Sequence, residues 1–291
     1  MRQELNIWVA GGDMRQAKLA ELLAEDGHSV HAFALERLGA IPGVQPEEDL
    51  EGMCLADCVV LPLPAAGEGS LLNAPLSAAK QHPLSHILDA LRPSQVICAG
   101  MVSPQVAAMA ADRGLTLHDY FAREELAVAN AVPTAEGAIQ IAMEELPITI
   151  HGARSLVIGY GRLGRALSQR LAALGAKVSV AARKYADLAW AESCGYGIEH
   201  TGQLEGWLCC YDLVVNTVPA RILDRKGLAD LQPGCLVIDL ASKPGGVDLA
   251  AAAELGVKVV WALSLPGKVA PVTAGRSIKT TIYNILHELG V

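Results

Sequence analysis

The 291-residue sequence predicts an α/β protein built from two parallel-sheet domains with a cleft between them. Three observations predict it. Apolar runs of strand length alternate with helical runs along nearly the whole chain. The length suits about two domains at roughly 150 residues each. Apolar residues make up 52% of the chain and aromatic residues only 4%, so Ala, Val, Leu and Ile must fill the cores, as they do where helices cover a parallel sheet.

Asn6–Ala10 reads as a first strand, and Gly11-Gly12-Asp13 turns the chain into a helical run from Met14 to Glu25. Ser29–Ala34 is a second strand. Residues 38–52 carry Pro42, Gly43 and Pro46 and read as a loop. Cys58–Leu61 is a third strand, ended by Pro62 and Pro64, which cannot continue a central ladder. Residues 65–83, marked by Gly67, Gly69, Pro75 and Pro83, form another loop. A helix (Leu84–Leu91), a strand (Gln95–Ala99), a helix (Pro104–Asp112) and a strand (Leu115–His118) complete a five-stranded unit of Rossmann-like or flavodoxin-like size.

A linker helix is expected from Thr134 to Leu146, with Pro133 at its start, where a missing N–H does no harm. A second series of strands follows at Ser155–Ile158, Lys177–Ala181, Leu213–Asn216, Leu236–Leu240 and Val257–Trp261. A helix fills Arg162–Leu174, shorter ones separate the later strands, and the last covers Ala274–Leu289. The expected domains are residues 1–130, completed by the C-terminal helix at 274–291, and residues 131–273, which include the linker helix.

Lys plus Arg number 23 against 31 Asp plus Glu, a net charge of −8, and no window forms a basic arm. Nucleic-acid binding, which depends on neutralising phosphates with cations, is therefore disfavoured. Glu4, Asp13, Arg15 and Lys18 interrupt the apolar positions of the first 30 residues, so no signal peptide is expected. No apolar stretch reaches the roughly 20 residues of a membrane span, and a cytoplasmic protein is expected. The seven cysteines are odd in number and include no Cys-x-x-Cys pair, so reduced thiols are expected and no metal site.

The strongest local signal is Ser155-Leu-Val-Ile-Gly159-Tyr-Gly161-Arg-Leu-Gly164, between an apolar strand and an apolar helix. It fits a dinucleotide-binding turn. Gly159 makes the tight bend, Gly161 lets backbone approach a pyrophosphate, and Gly164 packs helix against strand, with Arg162 and Leu163 between them. The helix N-terminus then presents unpaired N–H groups to phosphate. NAD sites usually carry Asp or Glu at the end of the next strand; here it ends Val180-Ala181-Ala182-Arg183-Lys184. Arg183 offers a planar fork and Lys184 a second charge to a 2′-phosphate, so NADP is expected in preference to NAD. Two later strands end at Thr217-Val218-Pro219 and Ala241-Ser242, which places these residues near the dinucleotide at the sheet's carboxyl edge. Asn216 and Asp239 read equally well as turn-formers.

Gly11-Gly12-Asp13-Met14-Arg15-Gln16 also joins a strand to a helix but lacks the third glycine. Asp13 reads as an N-cap; alternatively, the glycines and Arg15 hold an anionic group. With this segment, Pro133-Thr-Ala-Glu136-Gly137-Ala, the glycine turn, Asp239-Leu-Ala-Ser-Lys-Pro-Gly-Gly246 and Leu265-Pro-Gly-x-Val-Ala-Pro-x-Thr-Ala-Gly275 in that order, the chain resembles the family of dipicolinate synthase A subunits. The second half is also distantly similar to NAD(P) domains of 2-hydroxyacid dehydrogenases.

The resemblance implies NADP-dependent oxidation of dihydrodipicolinate to pyridine-2,6-dicarboxylate during sporulation. It also implies a flavoprotein-like B subunit as partner and a homo- or hetero-oligomer. A small dicarboxylate needs local positive charge on an acidic protein. Arg15 and Lys243 are the expected carboxylate binders, with backbone N–H groups around Gly12 and Gly267 assisting, while Lys268 and Arg276 are the remaining cations near the expected cleft. Asn130, Thr134 and Glu136 lie where the chain crosses between domains. Thr134 is expected to bond substrate; Glu136 either orients it or accepts a proton, or only complements a helix dipole from the first turn. His118 and Asp119 point to opposite strand faces and stay outside the catalytic set, whose proton acceptor is unassigned. Another small-acid dehydrogenase, or a non-catalytic NADP-binding scaffold, stays open as an alternative.

Overall fold

The computed structural model describes residues 4–78 and 81–291. In chain order the elements are β1 (Asn6–Ala10), α1 (Met14–Glu25), β2 (Ser29–Phe33), β3 (Val44–Glu47), β4 (Cys58–Val60), α2 (Leu84–Asp89), β5 (Val96–Ala99), α3 (Pro104–Ala111), β6 (Leu117–Asp119) and α4 (Glu124–Glu145). Then come β7 (Arg154–Ile158), α5 (Arg162–Ala173), β8 (Lys177–Ala182), α6 (Tyr185–Ser193), β9 (Gly197–His200), β10 (Leu213–Asn216) and α7 (Arg225–Ala229). The chain ends with β11 (Leu236–Asp239), α8 (Leu249–Leu255), β12 (Lys258–Trp261), α9 (Leu265–Val269) and α10 (Pro271–Leu289). Contacts divide it into two compact units, residues 1–130 with 270–291, and residues 131–269.

Each unit holds one six-stranded parallel sheet, ordered β3-β2-β1-β4-β5-β6 in the first and β12-β11-β10-β7-β8-β9 in the second. Both are the doubly wound Rossmann order, which reverses between β1 and β4 and between β7 and β10. The central strands are apolar on both faces because helices cover both. In the first unit Ile7, Val9 and Val60 pack with Leu19 and Leu23 of α1 and with Ile278, Ile282 and Ile285 of α10. Trp8, Val59 and Ile97 face Leu84, Ile87, Leu88 and Val106 from α2 and α3. In the second unit Val157, Val180 and Ile238 meet Leu167 and Leu171 of α5 and the alanines of α4, while Leu156, Val214 and Val237 meet Leu208, Leu228 and Ala252.

The terminal helix belongs to the first core. A Cβ on Gly275 would lie 2.9 Å from the Arg15 carbonyl oxygen, so glycine lets α10 and α1 approach backbone to backbone. Lys279 bonds the Asp26 carboxylate at 2.7 Å, and the Tyr283 hydroxyl donates to it at the same distance.

Four expectations need correction. The segment 38–52 contains β3, which pairs with β2 at the sheet edge, where Pro46 removes no central ladder bond. The second sheet has a sixth strand, β9, also at an edge. The linker helix starts at Glu124, not Thr134, and carries Pro133 inside it. Glu136 therefore sits well beyond the first turn and pairs with Arg170 at 3.5 Å. Finally, α10 starts at Pro271 rather than Ala274. Within the expected loop 65–83, positions 79 and 80 lie outside the described residues.

Candidate functional site

The turn after β7 lies beside the reversal point of the second sheet. Gly159 has φ +97°, a region that disfavours side chains, and a Cβ there would come within 2.3 Å of Thr217 Oγ1. At Gly164 an added Cβ would lie 2.0 Å from the Gly159 carbonyl oxygen, so α5 and the turn touch directly. At Gly161 the same atom would meet nothing within 4 Å. Gly161 is also the N-cap of α5, and no side chain caps that helix. Its first-turn N–H groups are thus left for an anion, which is the cradle a pyrophosphate requires.

This turn opens onto a groove of about 430 Å³ that Gly159, Gly161, Arg162, Leu163, Arg183, Lys184, Thr217, Val218 and Pro219 line together. Thr217 is anchored by its N–H and Oγ1, both donating to the Ile158 carbonyl at 2.9 Å. Arg183 and Lys184 are exposed, and among the described residues neither side chain has a hydrogen-bond or ion-pair partner. Asp187, on the same groove, faces Arg165 at 3.5 Å. Tyr160 is buried within the turn; burial, with the Cys194 thiol beside its hydroxyl, pushes it up to about 12, so it stays a neutral phenol at physiological pH. The donor set fits a dinucleotide: an amide cradle for the pyrophosphate, with two exposed cations lining the same groove.

Ala241 and Ser242 lie outside that lining, on a loop organised by two buried side chains. Asp239 accepts from Asn216 Nδ2 at 2.8 Å, Ala241 N–H at 3.1 Å and Gly246 N–H at 2.8 Å. Asn216 also bonds Val218 in both directions, so the pair joins the loops after β10 and β11. Their turn-forming reading is the one these bonds express. Lys243 projects from this loop, exposed, just before a cis bond to Pro244. Gly267 lies half-buried within α9.

In the first unit Asp13 caps α1 by accepting from the Arg15 N–H at 2.9 Å. The Arg15 guanidinium, 8% exposed as a residue, forks onto the Asp13 carboxylate and donates to the Leu63 carbonyl at 2.8 Å. It therefore ties the first turn to the loop after β4; among the described residues only its Nη1 lacks a hydrogen bond. The expected donor at Gly12 needs correction, because its N–H is committed to the Asn73 carbonyl at 2.8 Å. Gln16 donates to the buried Tyr120 hydroxyl, which donates to the Leu61 carbonyl at 3.0 Å. Asp119 accepts from the N–H groups of Met101, Val102 and Phe121, a loop-holding role. Thr134 and Glu136 both lie on α4. Sequence reasoning missed Thr201, which lines the groove just after the unread strand β9.

Fold and turn together define a dinucleotide-binding protein of the dehydrogenase class. Residues 121–251 match the family described as D-isomer specific 2-hydroxyacid dehydrogenase, NAD binding domain. Residues 6–121 match the family of the N-terminal domain of the dipicolinate synthase A subunit. The chain is 33% identical to the A subunit of dipicolinate synthase from Bacillus subtilis (strain 168) over 98% of its own length and 97% of the relative's. The crystal structure of the dipicolinate synthase A chain from that species superposes with TM-score 0.89 at 32% identity, covering 100% of this chain and 98% of the other. The crystal structure of the A subunit from Bacillus halodurans gives TM-score 0.89 at 31% identity, covering 98% and 99%. The chain belongs to the family of dipicolinate synthase A subunits. A transhydrogenase from Sinorhizobium meliloti, at 19% identity and TM-score 0.73, shares the fold; 97% of this chain and 94% of the other are covered. The dehydrogenase-type domain supports an oxidoreductase that uses a nicotinamide cofactor. Among the described residues no helix is long and apolar enough to cross a membrane, and no cluster of His, Cys, Asp or Glu could hold a metal ion.

Proposed function

We propose that this protein oxidises dihydrodipicolinate to dipicolinate with NADP⁺, as the A subunit of a dipicolinate synthase that also contains a flavoprotein-like B subunit. The observation that carries the reading is the likeness to the dipicolinate synthase A subunit over nearly the whole chain. The choice of NADP rests on the end of β8, where Arg183 and Lys184 stand in place of a ribose-binding carboxylate.

When bound, the nicotinamide supplies the hydride acceptor. One ring carbon of the substrate loses a hydride, a neighbouring position loses a proton, and the ring becomes aromatic. The chain's residues then have to bind and orient a small dianion rather than drive difficult chemistry. Arg15, through Nη1, and Lys243 are the proposed carboxylate ligands; Thr134 is proposed to bond the substrate. Glu136 is a weaker candidate for orientation, since its carboxylate is 60% exposed and already paired with Arg170. Water is the proposed proton acceptor.

The test is turnover of freshly generated dihydrodipicolinate with NADP⁺ or NAD⁺, by this chain alone and with its B subunit. The expected result is NADPH formation together with the ultraviolet band of the pyridine product. No reduction of either cofactor, even with the B subunit present, overturns the reading. Reduction only on mixing the two proteins assigns part of the site to the partner.

A further inference from the structure

β9 ends beside β8, with His200 in register with Ala182. The imidazole is fixed there by both nitrogens. Nδ1 accepts from the Gly202 N–H at 3.1 Å, which leaves the ring proton on Nε2 to bond the Arg183 carbonyl at 3.2 Å. Tyr185 stacks on the ring, with centroids 5.6 Å apart and planes 29° from parallel. His200 thus pins the backbone of Arg183 to the tip of β9.

The next residue, Thr201, is half-buried and lines the same groove as Arg183 and Lys184. Among the described residues its hydroxyl makes no hydrogen bond, and neither of the two cations has a side-chain partner. The carboxylate on that groove, Asp187, is engaged by Arg165. Two cations and one hydroxyl therefore line one groove, a donor set suited to an anion.

We propose that Thr201 is a further ligand for the 2′-phosphate of the adenosine ribose, its hydroxyl donating to a phosphate oxygen, and that His200 is a positioning residue that frames Arg183 and Thr201. The inference rests on the NADP reading above. A phosphate monoester presents three acceptor oxygens. The Arg183 fork takes two, Lys184 acts as a point charge, and the Thr201 hydroxyl reaches an oxygen the fork leaves over. A ribose 2′-hydroxyl offers neither that charge nor those acceptors, so Thr201 discriminates between the two cofactors.

The test measures dissociation constants by titration calorimetry on the full chain for NADP⁺, NAD⁺, adenosine 2′,5′-bisphosphate and 5′-AMP. Thr201→Val is expected to weaken the two 2′-phosphorylated ligands by about five- to tenfold and leave the other two within about twofold. Thr201→Ser keeps the hydroxyl and is expected to bind like the parent; Thr201→Ala repeats the Val result should Val disturb folding. His200→Phe keeps the stack on Tyr185 but loses both bonds, and is expected to weaken the 2′-phosphorylated pair selectively. An unchanged NADP⁺/NAD⁺ ratio in Thr201→Val, or parallel weakening of all four ligands, overturns the assignment. A parent protein that binds NADP⁺ no better than NAD⁺ removes the NADP reading itself and this inference with it. Parental preference surviving in the variant removes Thr201 alone.

Discussion

At Gly161 and Gly164 the same residue type answers to different physics. An added carbon at Gly164 has only backbone to push against, the carbonyl oxygen of Gly159 at 2.0 Å, so Gly164→Ala should destabilise the second unit by about 2 kcal/mol or more. Gly161 has φ −77° and open space around it. Gly161→Ala should cost only about 1 kcal/mol, the preference of an N-cap for glycine over alanine, yet bind the dinucleotide at least about tenfold more weakly because the methyl enters the pyrophosphate's space. Thermal melts beside cofactor calorimetry separate the two, and a Gly161 variant of parental affinity would contradict the cradle. Arg183→Ala should lower the NADP⁺/NAD⁺ ratio of kcat/KM by about tenfold, the loss of a charge-assisted fork; an unchanged ratio would return Arg183 to the solvent.

Elements differ in how plainly their residues announce them. β1, α1, β7 and α5 were legible because long apolar patterns bracket a glycine turn. β3 and β9 were not. Val44–Glu47 contains a proline and Gly197–His200 begins with glycine, and both form because an edge strand needs only one neighbour to supply its ladder. With β9 unread, Thr201 was missed too, a groove residue that no local motif marks. Pro133 misled for a related reason: a first-turn preference is only a prior, and the run Glu124–Val132 upstream propagates helix through it. The loops after β10 and β11 are different again, since Asn216 and Asp239 carry local turn chemistry but also bond each other across 23 residues of chain. Asp239→Ala would take the acceptor from one Asn216 Nδ2 proton, the other staying on the Val218 carbonyl, and from the buried N–H groups of Ala241 and Gly246, so a loss of about 3 kcal/mol is expected in urea denaturation. A cost below about 1 kcal/mol would show that water replaces the carboxylate without penalty.

On the scale of the whole molecule, the chain leaves its first unit at residue 130 and returns to it at 270, so that unit is complete only when the last helix docks. Ile278, Ile282, Ile285 and Leu286 are buried by that docking, and at about 1.5–3 kcal/mol each their gross contribution is comparable to a domain's entire stability. Asp26 adds a pH-dependent term. Burial works to raise its pKa, but hydrogen bonds from Lys279 and Tyr283 and the lysine charge outweigh it and hold the carboxyl below its ordinary value. The sign follows from linkage. A depressed folded-state value means the contribution is complete above the unfolded value, 3.8 here, and disappears as pH falls through the folded one. Asp26 is 36% exposed, so water screens the pair and its worth is at most about 1 kcal/mol. Asp26→Asn should therefore unfold at lower urea concentration than the parent at neutral pH, with the gap closing as the solution is acidified below the unfolded value. Urea midpoints followed from neutral to strongly acidic pH decide it. A gap that stays constant with pH would mean the asparagine disturbs packing, and that charge does not hold α10 to α1.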